Sequence, residues 1–281
     1  MSNSSTELSR RFERLSDIYD IMNAMKTLSV AETKKLTRFI DNQRQMRQNI
    51  EDVAADFASF YPIDYNASTP QTLIIAVGSE RGFCGSFNER VSHELKDRMR
   101  ELNGRSRLVV IGDRLGSKLE NSGMAFCTLA GASIAEDVQH VVDNLADILE
   151  EASIIRILAH DDKGEVVLKS LLPIEIPQPK QNGFAPLLGL SSEDFLDGML
   201  EQYLLSALYG FLYESLLAEN IERLSHMEQA LGRLDKTIMD IAHQRNVLRQ
   251  AKIIEEIEVI LAGEELFLVK TNGNTHEPLT S

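Results

Sequence analysis

The sequence predicts an α/β protein with long flanking α-helices: an antiparallel coiled coil of N- and C-terminal helices around a central α/β domain. Three observations predict this. No Pro or Gly occurs before Pro62, a run far longer than a globular helix needs. Strand-like and helix-like segments alternate between Thr72 and Pro186, the pattern of a small, mostly parallel sheet. A second breaker-poor helical run follows Ser191.

The first block, 1–61, carries Leu8, Phe12, Leu15, Tyr19, Met22 and Met25 at spacings of three and four. That stripe is narrow, a seam and not a broad globular face. Ser5 or Thr6 is the expected helix cap, and "PIDYNASTPQ" the connector that follows. In the central block, 70–186, "TLIIAVG" and "SRLVVIGDR" are short apolar runs rich in β-branched residues and read as buried strands. "NERVSHELKDRMREL" and "LGSKLENSG" read as helices. "SIAEDVQHVVDNLADILEE" is amphipathic through Ile134, Val138, Val141, Val142, Leu145, Ile148 and Leu149. "SIIRILAHDD" and "GEVVLKSLLPIEIP" read as strands joined at "DDKG".

"PQPKQNGFAPLLG" is a linker, and "SSEDF" a cap for the third block, 191–268. There Leu224, Met227, Leu231, Leu234, Ile238, Ile241 and Leu248 form a second seam, broken by Arg245. Residues 269–281 are polar and read as a disordered tail. Neither seam can be buried by its own helix, so the two are expected to pack on each other.

The 281 residues are 43% hydrophobic, 26% charged and carry a net charge of −14. Such a balance argues against nucleic acid as a partner, which needs clustered Lys and Arg. Two separated cysteines make no disulfide framework. No stretch approaches the ~20 apolar residues of a membrane span, so direct membrane insertion is not expected.

The segment "GSERGFCGSFNER" (78–90) joins a strand to a helix, the place where a phosphate loop would lie. Its glycines, Gly78, Gly82 and Gly85, match neither G-x-x-x-x-G-K-[ST] nor G-x-G-x-x-G. A glycine-mediated turn packed against the domain is the expectation. Cys84 reads as a small buried hydrophobe, with His93 the nearest partner were it a nucleophile. The six histidines have no metal-ligand spacing, and His160, Asp161 and Asp162 read as a turn. No catalytic residue, metal or cofactor is expected.

Several segments carry a resemblance. "IMNAMKTLSVAETKKL" (21–36) contains an Ala24–Met25 pair ahead of small and basic residues. "SERGFCGSFN" (79–88) retains Arg81, Gly82, Cys84, Gly85 and Asn88 of a D-R-G-L-C-G-x-x-N turn. "KSLLPIEIP" holds a Leu-Leu-Pro stretch. "SLLAENIERLSHMEQAL" follows E-x-x-x-R-M-x-A-M through Arg223 and Met227. "NVLRQAKIIEEIEVILAGEE" (246–265) keeps Asn246, Arg249, Gln250, Ala251, Ile253, Glu256, Ile257, Ile260 and Gly263 of a closing-helix pattern. In this order they resemble the gamma subunit of rotary F-type ATP synthases across almost the whole chain. Asn23, Lys26, Ile254 and Val259 depart from that family's pattern.

The resemblance implies a Rossmann-like central domain and a rotor shaft that does no bond chemistry. It implies alpha and beta subunits of the F1 ring, an epsilon-like subunit and the membrane c-ring as partners. Met25, Lys26, Arg249 and Gln250 are implied as beta-subunit contacts, and Arg81, Gly82, Cys84, Gly85 and Asn88 as a structural turn. The implied place is the cytoplasmic face of a prokaryotic inner membrane, since no transit peptide is evident. Two other readings differ in class: a detached coiled-coil scaffold, and an anion-binding enzyme using the Gly82–Gly85 turn.

Overall fold

A computed structural model describes residues 2–61, 71–101, 106–150, 152–174 and 184–272. The elements are α1 (Ser2–Ala58), β1 (Thr72–Val77), α2 (Phe87–Glu101), β2 (Ser106–Ile111), α3 (Asp113–Leu119), β3 (Cys127–Leu129), α4 (Asp137–Glu150), β4 (Ile154–His160), β5 (Val166–Leu172) and α5 (Ser192–Asn272). The chain divides into two compact units, one of residues 25–228 and one of residues 1–24 with 229–281.

The larger unit is built on a five-stranded sheet of order β3-β2-β1-β4-β5. β1 pairs in parallel with β2, from Thr72↔Ser106, and with β4, from Thr72↔Ile154. β3 is parallel to β2, whereas β5 is antiparallel to β4. Alternate side chains of each strand go to opposite faces. Leu73, Ile75, Val77, Val109, Ile111, Ile155 and Ile157 share one core with Val138, Val141, Val142 and Leu145 of α4. Leu36 and Ile40 of α1, and Tyr203, Leu208, Leu212 and Leu216 of α5, complete that core. Ile74, Ala76, Leu108, Val110 and Leu158 form the other with Val91 and Leu95 of α2 and Leu115 and Leu119 of α3.

Within this unit α1 and α5 pair antiparallel. Lys26 meets Glu228, Phe39 meets Tyr213 and Phe57 stacks on Phe195, so one number rises as the other falls. Ser191 caps α5: its Oγ accepts from Asp194 N at 3.1 Å and donates to the Asp194 carboxylate at 2.6 Å.

In the smaller unit, Leu8, Phe12, Leu15, Tyr19 and Met22 are the half-buried line of α1. Leu231, Leu234, Ile238, Ile241 and Leu248 form the corresponding line of α5. Arg245, the break in the apolar row, places its guanidinium 4.5 Å from the Phe12 ring centroid. A cation over an aromatic face fills a seam position without an apolar side chain.

Several boundaries differ from the sequence expectation. α1 begins at Ser2, ahead of Ser5 and Thr6, because an established helix extends through weak formers at small cost. β5 stops at Leu172, where Pro173 has no N–H for the ladder. α5 continues to Asn272, past the expected boundary at 268, and the rest of the expected tail lies outside the described residues. Most of both expected linkers lies outside them as well. β3 was not anticipated: its three residues are largely exposed and carry no strand alternation.

Candidate functional site: the 78–90 turn and the helix packed against it

The chain order β1, β2, β3 runs one way across the sheet, and β4 lies on the other side of β1. The carboxyl ends of β1 and β4 therefore flank a topological switch point, where open α/β sheets bind ligands. The 78–90 turn leaves β1 there.

The turn is tied internally. Asn88 accepts from Ser79 N through Oδ1 at 2.9 Å and donates through Nδ2 to Ser79 Oγ at 2.7 Å. Ser79 Oγ lies 3.2 Å from Cys84 Sγ. Backbone amides at the start of α2 are spent locally: Phe87 N donates to Cys84 O, and Glu89 N and Arg90 N to Ser86 O. Gly85 adopts φ +53° and Phe83 φ +65°. A Cβ at Gly85 would lie 3.2 Å from Glu222 Oε2, whereas one at Gly82 would meet nothing within 4 Å. Glycine is thus required by conformation at 85 and not by space at 82.

A face of α5 packs against the turn. Cys84 and Phe87 share a small core with Ala218, and burial pushes the Cys84 thiol pKa up. Arg223 donates through Nε to Gly82 O at 3.4 Å, through Nη1 to Asn220 Oδ1 at 3.1 Å, and through Nη2 to Glu219 Oε1. Glu219 and Arg223 are 2% and 5% exposed. Burial raises the Glu219 pKa to about 7, with Arg223 acting in the opposite direction. Arg90 Nη2 meets Glu222 Oε1 at 2.6 Å.

His160, at the end of β4, stacks on Phe87 with ring centroids 3.8 Å apart. It is fully buried. Burial first, then the charge of Arg90, lowers its pKa to about 4, so it is a neutral ring at ordinary pH. The arrangement can hold a helix by directed polar contacts. An open cavity of about 590 Å³ remains beside the turn, lined by Gly82, Cys84, Gly85, Asn88, Arg114 and Lys118.

The structure brings Arg81, Gly82, Cys84, Gly85 and Asn88 together in this one turn, with Arg81 exposed at its edge. His93 is exposed on α2 beside Asp97 at 3.4 Å. Asp161 closes the β4–β5 turn by accepting from Lys163 N and Glu165 N, and Asp162 meets Arg44 at 2.7 Å. Met25 is half-buried beside a cavity of about 190 Å³ that Arg81 and Arg223 also line. Lys26 Nζ lies 2.7 Å from Glu228, so its charge is already answered within the chain. In the smaller unit Arg249 and Gln250 are exposed on α5.

Sequence reasoning did not single out Glu219 or Asn220, and it read His160 as part of a turn, whereas His160 is the last residue of β4 and is buried against Phe87. The usable signal was position: Glu219 and Asn220 directly follow "LLSALYGFLYESLLA", a helical run apolar on nearly every side.

The sheet and the helices packed on it define an α/β fold with two long helices. The chain aligned in the Euglena gracilis mitochondrial ATP synthase (OSCP/F1/c-ring, rotational state 3) superposes with a TM-score of 0.61 at 13% identity, over 100% of this chain and 99% of that one. The Tetrahymena thermophila mitochondrial ATP synthase central stalk/c-ring gives 0.53 at 18% identity, over 75% and 99%. The family model described as ATP synthase matches residues 4–266. The ATP synthase gamma chain of Polynucleobacter asymbioticus is 22% identical, over 92% of this chain and 98% of its own length. That of Acidithiobacillus ferridurans is 25% identical, over 93% and 95%. The chain belongs to the ATP synthase gamma-chain family.

Proposed function

We propose that this chain is the rotor shaft of an F-type ATP synthase, a non-catalytic subunit that couples ion-driven rotation of a membrane c-ring to the nucleotide sites of an alpha/beta ring. The observation that carries this reading is the far part of α5. Every side chain from Ala251 to Leu261 is exposed, including Ile253, Ile254, Ile257, Val259, Ile260 and Leu261 at 47–68%. An apolar surface of this kind belongs against a partner. An apolar collar of alpha and beta subunits would cover it while leaving it free to turn, because apolar contact has no preferred direction.

An asymmetric shaft contacts each beta subunit differently, and only such differential contact can bias the sites toward different states. Arg249 and Gln250 supply the polar contacts to a beta subunit, and Met25 adds an apolar one. Lys26 keeps donors to spare beside Glu228 for a beta carboxylate. The sheet domain faces the c-ring and an epsilon-like subunit, placing the chain at the cytoplasmic face of the membrane without inserting. No helix among the described residues is long and apolar enough to cross a bilayer.

Assembly tests this. Co-expression with alpha and beta subunits of the same genome should give a complex holding one copy of this chain. Its ATPase turnover should depend on the chain and fall with Arg249→Ala. A chain that elutes alone and leaves turnover unchanged is a detached scaffold.

A further inference from the structure

We propose that the buried Glu219–Arg223 pair is a clamp that fixes the 79–88 turn to α5, so that the sheet domain and this stretch of α5 twist as one body. This deepens the rotor reading and rests on it.

A buried ion pair is a poor source of stability, since an apolar pair of similar volume usually does as well. What it supplies is registry. Around Cys84, Phe87 and Ala218 the contact of turn with helix is apolar, and such contact resists separation but tolerates sliding and re-packing. Moving α5 by one residue rotates its face by about 100°, and apolar side chains nearby can replace Ala218. The polar contacts cannot be replaced in this way. Arg223 spends three donors on three different acceptors: Gly82 O across the contact, and Asn220 and Glu219 on its own helix. Its planar fork is held by the two helix partners and aimed at one carbonyl of the turn.

Glu222 adds a second tie one turn along, meeting Arg90 at the start of α2. It also occupies the space that a side chain at position 85 would need. Three parts of one helix face thus read three parts of the turn: Ala218 with Cys84, Glu222 with Gly85 and Arg90, and Arg223 with Gly82. The turn thus indexes a helix. Glu219 and Arg223 are positioning residues in this account.

Cys84 reports the clamp directly. It is buried under the turn, whereas Cys127 is exposed, so full-length chain with Cys127→Ser has one protected thiol. The double variant Glu219→Leu/Arg223→Met removes both charges together and should unfold at a denaturant midpoint close to the parent's. Its Cys84 should nevertheless react with a thiol reagent on the order of tenfold faster through local opening. Arg223→Lys keeps the charge and loses the fork, and should show the same direction. In the assembled ATP synthase the double variant should pump fewer ions per ATP hydrolysed.

Parental Cys84 protection in both variants would overturn the clamp. Faster labelling with an unchanged ratio of ions to ATP would overturn its part in transmission. Failure of the parent chain to assemble with alpha and beta subunits would instead sink the rotor reading, and the labelling result would stand apart from it.

Discussion

Two stretches of α5 are comparably apolar and end up in opposite states. Around 203–220 the helix is buried on almost every side, with Leu208, Leu212, Leu216 and Leu217 in the main core. From Ala251 to Leu261 each side chain is exposed, although six are Ile, Val or Leu. Composition alone does not decide burial: the first stretch has a sheet, α4 and α1 of its own chain to cover it. The second meets no such cover among the described residues, and its apolar character is accounted for by a partner.

The largest effect that sharpens this contrast is in the core. Leu212→Ala should cost about 2–5 kcal/mol of stability, read as a lower denaturant midpoint. Ile257→Ala should change the isolated chain by less than about 0.5 kcal/mol and act on assembly. Equal losses at both sites would break the comparison.

Next is pH. Neutral His160 titrates near 6.5 when unfolded and near 4 when folded. The folded chain therefore binds fewer protons across that window, and this contribution to stability is lost as pH falls through it. The loss reaches about 3 kcal/mol at the lower end. His160→Phe keeps a ring on Phe87 and removes the titration. Its stability relative to the parent should rise on acidification; a constant difference would show that the imidazole is not held neutral.

The turn offers a smaller contrast between neighbours. Gly85→Ala must adopt a positive φ beside Glu222 and should cost about 1–2 kcal/mol. Gly82→Ala faces open space and should fall within about 0.5 kcal/mol. A small effect is also expected for Lys26→Ala, which removes a half-exposed pair with Glu228 worth under about 1 kcal/mol.

The seams were legible because their period is local: Leu8, Phe12, Leu15 and Tyr19 state it within a few turns of helix. The central strands were legible for the same reason, since β-branched runs such as "TLIIAV" leave little else to form. β3 was not, because three exposed residues make a strand only through pairing with β2. The clamp was not legible either. In the sequence Arg223 stood out only as one position of a helix pattern, and Glu219 not at all. Nothing near them in sequence points to Gly82, and only the folded chain brings that carbonyl to Arg223. Arg245 breaks the apolar row in sequence, and only folding sets its guanidinium over Phe12.

The most direct test of the account uses the exposed Cys127 of β3 as a handle. With alpha and beta subunits assembled around the chain and fixed to a surface, a bead attached at Cys127 is watched as ATP is added. The account predicts rotation in one direction, dependent on ATP and slowed by Arg249→Ala. Beads that stay still or only diffuse, on complexes that hydrolyse ATP at an undiminished rate, would contradict it.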